Sequence, residues 1–211
     1  MPVLYRICAV FLRLWVKICG CKIIGRENIP QNQAALVIAN HISYGDPVIV
    51  AVAYYPQHIT FIAKEAFSKM LFVKGFFVKL GVVFLNKEES DLTALRTSVK
   101  TLKSGRTVGI FPEGHCNRQP GLAPFMPGAA YIAHKARVPV VPMGIENSGD
   151  MLRFWKRNIV IRIGEPIWLD FDIKATHEYL AETSELFSER VASLLPPSEI
   201  KAEIEPENKP K

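Results

Sequence analysis

Cysteines are few in this sequence and lack the spacing of a disulfide scaffold or a zinc ribbon. Only four occur among 211 residues, and no two of them form a C-x-x-C pair. Disulfide-stabilised domains and structural zinc sites depend on such closely paired cysteines. We therefore expect unpaired thiols, as in proteins of a reducing compartment, and no metal site.

Long hydrophobic runs are also missing, although 49% of the residues are hydrophobic. No run approaches the roughly 20 residues that span a bilayer as a helix. In residues 1–20, the cations Arg6, Arg13 and Lys17 interrupt the apolar residues, and no A-x-A cleavage site follows. We therefore expect no secretory signal peptide.

The same three cations predict that residues 1–20 form an amphipathic, membrane-associating helix. At helical periodicity, Arg6, Arg13 and Lys17 lie within a narrow arc of one face. Such a helix lies in the membrane interface, with its apolar side in the lipid and its basic stripe toward the lipid phosphates. The alternative is a terminal helix that packs on the core of its own domain.

Signatures of nucleic-acid-binding proteins are absent from the sequence. The 26 Lys and Arg exceed the 20 Asp and Glu, which gives a net charge of +6. A basic excess of this size suits nucleic acid, an anionic membrane or a phosphorylated substrate. Because the aromatic residues lie in apolar runs and are not interleaved with basic ones, we expect no nucleic-acid partner.

Alternating short apolar runs and helical patterns predict an α/β fold. A chain of this length suits one domain that buries roughly 70% of its unfolded surface. The predicted strands are 21–24, 35–39, 59–63, 82–85, 107–111, 138–143 and 159–163, and the predicted helices are 47–54, 92–103, 128–136 and 177–195. This order is typical of a single domain, here residues 21–195, with a largely parallel central sheet flanked by helices. The proline- and charge-rich residues 196–211 are expected to be disordered.

Two predicted strands each end in a polar segment with residues suited to acid–base chemistry. His41 and Asp46 follow the strand 35–39, and Glu113 follows the strand 107–111. Open α/β sheets bind their ligands at the carboxyl ends of their strands. Catalysis is therefore the first hypothesis for this chain.

His41 and Asp46 are candidates for a catalytic pair. A continuous helix would place them about 140° apart, but the turn-forming residues 43–45 let the chain fold back. A carboxylate that fixes the tautomer of a histidine allows the imidazole to take a proton from a hydroxyl. Alternatively, His41 is an ordinary loop histidine and Asp46 caps a helix that begins at Pro47; capping and catalysis are compatible roles for Asp46.

The sequence contains no G-x-S-x-G elbow and no cysteine in a triad pattern. A base without an enzyme nucleophile suggests direct activation of a substrate hydroxyl. Glu113 could accept hydrogen bonds from a polyol, and Gly114 allows close backbone approach. Lys64, Lys87 and Arg118 follow predicted strands or lie near their ends, where they could hold a phosphate. Taken singly, each of these cations could equally be a solvated surface residue.

The order of the motifs resembles a known family. His41-x4-Asp46 followed by residues 111–114, Phe-Pro-Glu-Gly, is similar to the glycerophospholipid acyltransferase superfamily, in particular to bacterial-type 1-acylglycerol-3-phosphate (lysophosphatidic acid) acyltransferases. The resemblance covers about residues 20–170. It extends to residues 81–87 and 138–142, which are similar to the second and fourth blocks of the family.

The resemblance implies transfer of a fatty acyl chain from acyl-CoA or acyl-carrier protein to the free hydroxyl of 1-acylglycerol-3-phosphate, giving phosphatidic acid. His41 would deprotonate the hydroxyl and Asp46 would orient His41, with no acyl-enzyme and no cofactor beyond the thioester co-substrate. Glu113 and the cations would hold the glycerol phosphate. With the basic stripe of residues 1–20, this predicts a peripheral (monotopic) protein on the cytoplasmic face of a membrane, with the lipid surface, the thioester donor and a lysophospholipid acceptor as partners.

Three positions depart from the family pattern. Lys87 stands where arginine is usual, His115 and the next two residues replace Thr-Arg-Ser with Arg118 two places late, and Met126 replaces a common lysine. All three lie in the expected phosphate-binding part. Other acceptors therefore stay open, namely another lysophospholipid, an acylated amine lipid or glycerol 3-phosphate.

Two alternatives belong to other functional classes. One is a metal-dependent hydrolase that uses as ligands His41, Asp46, Glu113, His115 and Cys116, although their spacing matches no zinc motif. The other is a non-enzymatic peripheral membrane module, for which an interfacial helix and a basic surface suffice.

Overall fold

The computed structural model describes residues 10, 11, 14, 20–64, 82–85, 91–117, 119, 121–150 and 158–197. The predictions for residues 1–20 and 196–211 therefore lie almost entirely outside the described residues, and so do Lys87 and Arg118. None of the helices within the described ranges is long and apolar enough to cross a membrane.

The described residues form seven strands and four α-helices in an alternating order. The strands are β1 (Lys22–Ile24), β2 (Leu36–Ala39), β3 (Ile59–Lys64), β4 (Val82–Leu85), β5 (Thr107–Ile110), β6 (Val140–Glu146) and β7 (Val160–Ile163). The helices are α1 (Asp46–Tyr54), α2 (Asp91–Lys103), α3 (Gly128–Ala136) and α4 (His177–Ala192).

All seven strands join one sheet in the order β1-β7-β6-β2-β5-β3-β4. Every neighbouring pair is parallel except β6 and β7, which run antiparallel. The predicted α/β fold with a largely parallel sheet is thus confirmed. The largest boundary differences are β6, which runs three residues further than predicted, and α4, which ends at Ala192 rather than at residue 195.

Strand β2 lies at the centre of the sheet and is buried on both faces, as its continuous apolar sequence predicts. Val37 and Ala39 pack into the core that α1 covers. Leu36 and Ile38 point the opposite way, into the core formed with α2, α3 and α4. The period-2 alternation of a strand therefore divides four apolar residues between two cores. Asn40, which follows β2, therefore continues from a strand that is packed on both faces of the sheet.

The amide of Asn40 fastens the end of β2 to the neighbouring strand β6. Its Oδ1 accepts a hydrogen bond from the backbone N–H of Ile145 over 2.7 Å, and its Nδ2 donates to the carbonyl of the same residue over 2.8 Å. Asn40 is only 2% exposed. One side chain thus satisfies two buried backbone groups where the ladder between β2 and β6 ends.

Arg26 has a similar function at the far end of α1. Its guanidinium donates hydrogen bonds to the carbonyls of Val52, Ala53 and Tyr55. The last carbonyls of a helix have no intrahelical partner, and a cation there also opposes the helix dipole. The C-terminus of α1 is therefore tied to the segment that follows β1, while its N-terminus carries Asp46.

We predict that Asn40→Ala destabilises the fold. It leaves the N–H and the carbonyl of Ile145 buried without partners, at a cost of roughly 1–3 kcal/mol for each group. Urea unfolding of the wild type and the variant measures the loss. Gln57→Ala is the matched control, because the Gln57 amide bonds to Pro30 and Gln31 in a half-buried loop. An Asn40→Ala loss no larger than the control's would contradict this account of the strand end.

Candidate active site

The two polar segments lie side by side because β2 and β5 are adjacent, parallel strands. In their register Ile38 is opposite Ile110. His41 follows β2 and Glu113 follows β5, so both emerge at the same edge of the sheet. The structure therefore brings His41, Asp46 and Glu113 into one site, at the carboxyl edge where open sheets bind ligands.

His41 and Asp46 meet because the chain folds back between them. The backbone N–H of Asp46 donates to the carbonyl of Ser43, which closes a tight turn. Across this turn, His41 Nδ1 lies 2.9 Å from Asp46 Oδ2. A carboxylate accepts hydrogen bonds, so the proton of the neutral imidazole is assigned to Nδ1 and the lone pair to Nε2. This is the arrangement of a base oriented by an acid.

The carboxylate of Asp46 is fully buried and organises the whole turn. Besides the His41 ring, its Oδ2 accepts the backbone N–H groups of Ile42 and Ser43, each over 2.8 Å. The N-cap of α1 is Gly45, without a side-chain capping bond. The interpretation of Asp46 as a helix cap is therefore wrong. Asp46 is itself the first helical residue, and its side chain reaches back to the turn rather than forward to the helix.

The imidazole of His41 is held on its face as well as at Nδ1. It stacks on Phe111, with ring centroids 4.2 Å apart and planes 20° from parallel. The side chain is 15% exposed. Among the residues that the structure describes, none forms a hydrogen bond with Nε2. Nε2 is thus the ring nitrogen that could take a proton from a substrate hydroxyl.

Glu113 is buried, with 5% of its surface exposed, and both carboxylate oxygens accept backbone hydrogen bonds. Oε1 accepts the N–H of His41 over 2.7 Å, and Oε2 accepts the N–H of Ala123 over 3.2 Å. Burial raises the pKa of Glu113 above its ordinary value, because the charged form loses its hydration; these N–H groups, the Asn117 side chain and the His41 charge lower the pKa in part.

Gly114 adopts a left-handed conformation with φ of +75°, where glycine is favoured, and a Cβ there would collide with the methyl group of Met126. The next residue, His115, donates from Nδ1 to the carbonyl of Glu113 over 2.9 Å, and its ring is exposed. Within the described ranges, no three His, Cys, Asp or Glu side chains are grouped as metal ligands. The metal-ligand hypothesis therefore has no assembled donor set in this part of the chain.

The expected phosphate-binding cations are only partly described. Lys64 is the last residue of β3, which is adjacent to β5, and so it lies at the same edge of the sheet as the polar segments. Lys87 and Arg118 lie outside the described residues. Their roles, like those of Glu113 and Gly114 toward substrate, stay predictions.

Three site residues were missed from the sequence. Asn40 bonds the strand end to β6, Phe111 supports the His41 ring, and the Asn117 backbone N–H donates to the His41 carbonyl over 2.6 Å. A polar amide directly after the apolar run 34–39 was the one available signal, and it concerns Asn40. Phe111 resembled an ordinary strand residue, and a backbone donor has no side-chain signature.

The sequence of this chain is similar to that of known proteins. A family model described as Acyltransferase matches residues 20–146. The 1-acyl-sn-glycerol-3-phosphate acyltransferase of Bacillus subtilis (strain 168) is 29% identical over 195 residues, which cover 90% of this chain and 96% of that protein. Its counterpart in Borreliella burgdorferi is 29% identical over 188 residues, covering 85% of this chain and 72% of that protein.

A solved structure is also similar. The crystal structure of the 1-acyl-sn-glycerophosphate (LPA) acyltransferase PlsC from Thermotoga maritima matches with a TM-score of 0.68 and 25% sequence identity. The match covers 96% of this chain and 83% of that one. The similarity to acyltransferases therefore holds for the arrangement of the sheet and helices as well as for the sequence.

Because the family model spans more than half of its length, the chain belongs to the acyltransferase family. It is an enzyme of acyl transfer, with the His41–Asp46 pair at the carboxyl edge of its sheet. Membership confirms the resemblance seen in the sequence. It also selects acyl transfer over the metal-dependent hydrolase and the non-enzymatic membrane module.

We predict that Asp46→Asn lowers turnover by roughly 10²-fold or more, since a neutral amide cannot stabilise a forming imidazolium. In serine proteases, a different enzyme class, the corresponding change costs roughly 10⁴-fold in kcat. The amide nitrogen would occupy the place of Oδ1, which has no hydrogen-bond partner among the described residues, so a stability loss of roughly 1–3 kcal/mol accompanies it. Acyl-transfer rates and thermal melting measure both effects.

The control for this substitution is Asp172→Asn, which removes an exposed carboxylate paired with Arg137. It should retain wild-type turnover and stability. Full turnover in Asp46→Asn would show that the carboxylate only shapes the turn.

We predict that stability depends on the protonation of Glu113. Its raised pKa means that the folded protein holds this proton more tightly than the unfolded chain. Stability from this group is therefore present below the ordinary carboxyl value of 4.5 and is lost as pH rises through the higher folded pKa. Urea unfolding of the wild type and Glu113→Gln, from about pH 4 to about pH 8, should show the wild type losing stability relative to the variant. A wild type that gains stability relative to the variant as pH rises would contradict this sign.

Proposed function

We propose that this protein transfers a fatty acyl chain from a thioester donor to the free hydroxyl of 1-acylglycerol-3-phosphate, giving phosphatidic acid. The observation that carries the proposal is the His41–Asp46 pair, with Nδ1 held 2.9 Å from Oδ2 and Nε2 without a hydrogen-bond partner among the described residues. The activity for which the relatives from Bacillus subtilis and Borreliella burgdorferi are named supports the choice of acceptor.

The chemistry follows from the lone pair on His41 Nε2. Nε2 takes the proton of the acceptor hydroxyl while the hydroxyl oxygen attacks the thioester carbonyl carbon. The tetrahedral intermediate then collapses, the C–S bond breaks, and the thiolate leaves and recovers the proton from the imidazolium. Asp46 stabilises the imidazolium in between. Positioned general-base catalysis of this kind supplies roughly 10²–10⁴-fold, and holding both substrates in place supplies more.

The acceptor phosphate is the part of the substrate that the basic residues would bind. Lys64 ends β3 beside the strand that leads to Glu113 and Gly114. We assign Lys64, Lys87 and Arg118 to the phosphate, with Gly114 allowing close approach of the backbone. Lysine at 64 and 87 supplies charge without the bidentate geometry of arginine.

The donor is either acyl-CoA or acyl-carrier protein, and no further cofactor takes part in the proposed reaction. Both donors present the same thioester carbonyl to the attacking oxygen. The proposal therefore requires the same His41 dependence with either one.

The decisive experiment supplies the purified enzyme with labelled acyl-CoA or acyl-carrier protein and a panel of lysophospholipids plus glycerol 3-phosphate. We expect labelled phosphatidic acid from 1-acylglycerol-3-phosphate, and a loss of roughly 10²-fold or more in His41→Ala. His177→Ala is the control, because His177 is exposed at the start of α4. A labelled product other than phosphatidic acid would show that the acceptor is a different molecule. A His41→Ala variant that keeps its activity would contradict the mechanism.

The enzyme should work as a peripheral protein on the cytoplasmic face of a membrane, held by residues 1–20. Three described residues of that segment, Val10, Phe11 and Leu14, are 54%, 68% and 56% exposed. Exposed apolar side chains, in a segment whose sequence also contains Arg6, Arg13 and Lys17, suit an anionic lipid interface.

We predict that deletion of residues 1–20 abolishes sedimentation with phosphatidylglycerol-containing vesicles. A full-length variant with Arg6, Arg13 and Lys17 changed to glutamine keeps the apolar side chains of the segment. It therefore separates the apolar contribution to membrane binding from the electrostatic one. It should bind more weakly than the wild type and lose the salt dependence of binding. Unchanged binding of the truncated enzyme would assign membrane association to another surface.

A further inference from the structure

The carboxylate of Glu113 is directed into the protein rather than toward a ligand. Oε1 lies 2.7 Å from the backbone nitrogen of His41, and Oε2 lies 3.2 Å from that of Ala123. The residue is 5% exposed. A buried carboxylate that bridges two backbone N–H groups joins the segments that carry them, here the turn after β2 and the segment before α3.

The same loop also holds the carbonyl of His41. Asn117, four residues beyond Glu113, donates its backbone N–H to that oxygen over 2.6 Å. The Asn117 side chain in turn donates to the carbonyl of Gly121 over 3.0 Å. The N–H and the carbonyl of His41 are thus both bonded to the segment that follows β5.

The side chain of His41 has its own two restraints. Asp46 holds Nδ1 at 2.9 Å, and Phe111 stacks on the ring at 4.2 Å. With the backbone also fixed, the position of Nε2 relative to the sheet has little freedom. Misplacement of a reacting group by about 1 Å costs roughly 10²-fold in rate, so each restraint matters to turnover.

We propose that Glu113 is a positioning residue for His41: its carboxylate fixes the backbone of the base, and with it the reach of Nε2, without binding the acceptor. The inference rests on the proposed function, in which His41 is the base. It assigns to Glu113 a role different from the polyol contact expected from the sequence. The burial that raises the pKa of Glu113 is consistent with a group withdrawn from the substrate.

The test separates turnover from acceptor binding in Glu113→Ala and Glu113→Gln. Loss of a transition-state positioning contact lowers kcat, whereas loss of a substrate contact raises KM. We expect kcat to fall roughly 10²-fold in the alanine variant and roughly 10-fold in the glutamine variant. The KM for the acceptor should stay within about 3-fold of the wild type in both.

A second readout needs no activity. The His41 backbone N–H donates over 2.7 Å to a carboxylate oxygen of Glu113, so its amide proton should resonate at low field in protein with nitrogen-labelled histidine. Replacing Glu113 by neutral glutamine should move this resonance upfield. Glu146→Gln is the matched control, because Glu146 is a half-buried carboxylate bonded to Arg162 at the end of β6. The control should leave kcat, KM and the His41 resonance unchanged.

A fall in kcat with acceptor KM retained, together with the upfield shift, supports the proposal. A rise in acceptor KM with kcat retained, or an unmoved His41 resonance, overturns it. Should the alanine variant fail to fold, the glutamine variant decides, since it keeps the volume of the side chain. A wild-type enzyme that acylates none of the acceptors would refute the proposed function, while the resonance would still test the contact between Glu113 and His41.

Discussion

One buried oxygen atom, Oδ2 of Asp46, organises the site. It accepts three hydrogen bonds, from the His41 ring and from the backbone N–H groups of Ile42 and Ser43. A fully buried carboxylate is costly unless such partners compensate it. The same bonds that compensate the charge also close the turn and set the histidine tautomer. The contacts that shape the turn are therefore the same contacts that orient the His41 ring.

The sheet supplies what this turn cannot supply alone. Strand β2 is buried on both faces, so the backbone at its carboxyl end, from which His41 follows, is held in place by packing. Asn40 ties that end to β6, and the segment after β5 holds the backbone of His41. Contacts at the ends of three adjacent strands, β6, β2 and β5, thus position His41. If His41 is the base, as proposed, a side chain fixed in this way needs little reorganisation when substrate binds, and such preorganisation contributes much of the rate.

Much of the fold could be predicted from the sequence because its elements follow simple periodicities. The apolar run 34–39 and the helical spacing of α2 led to correct elements within a residue or two. The boundaries of β6 and α4 were less accurate, since pairing with β7 and local turn bonds decide where those elements end. The contacts of Glu113 with backbone N–H groups depend on which strands become neighbours, and no local pattern contains that information.

The pairing of His41 with Asp46 was predicted from the turn-forming residues between them. Helix capping was the alternative role for Asp46, but its side chain bonds to the preceding turn and does not cap the helix. The backbone N–H groups of this turn and the His41 ring compete with the helix N-terminus for the same carboxylate, and the turn has it. A substitution at Asp46 therefore affects both the turn and the orientation of the His41 ring, because one carboxylate bonds to both.

The central claim is that the acyl chain passes directly from the thioester to the acceptor, with His41 as base and no covalent enzyme intermediate. Intact-mass analysis after incubation with labelled acyl donor alone, followed by addition of acceptor, tests this most directly. The account predicts unmodified protein before the acceptor is added and labelled lipid only afterwards. Acylated protein whose label then moves into the lipid product would contradict it.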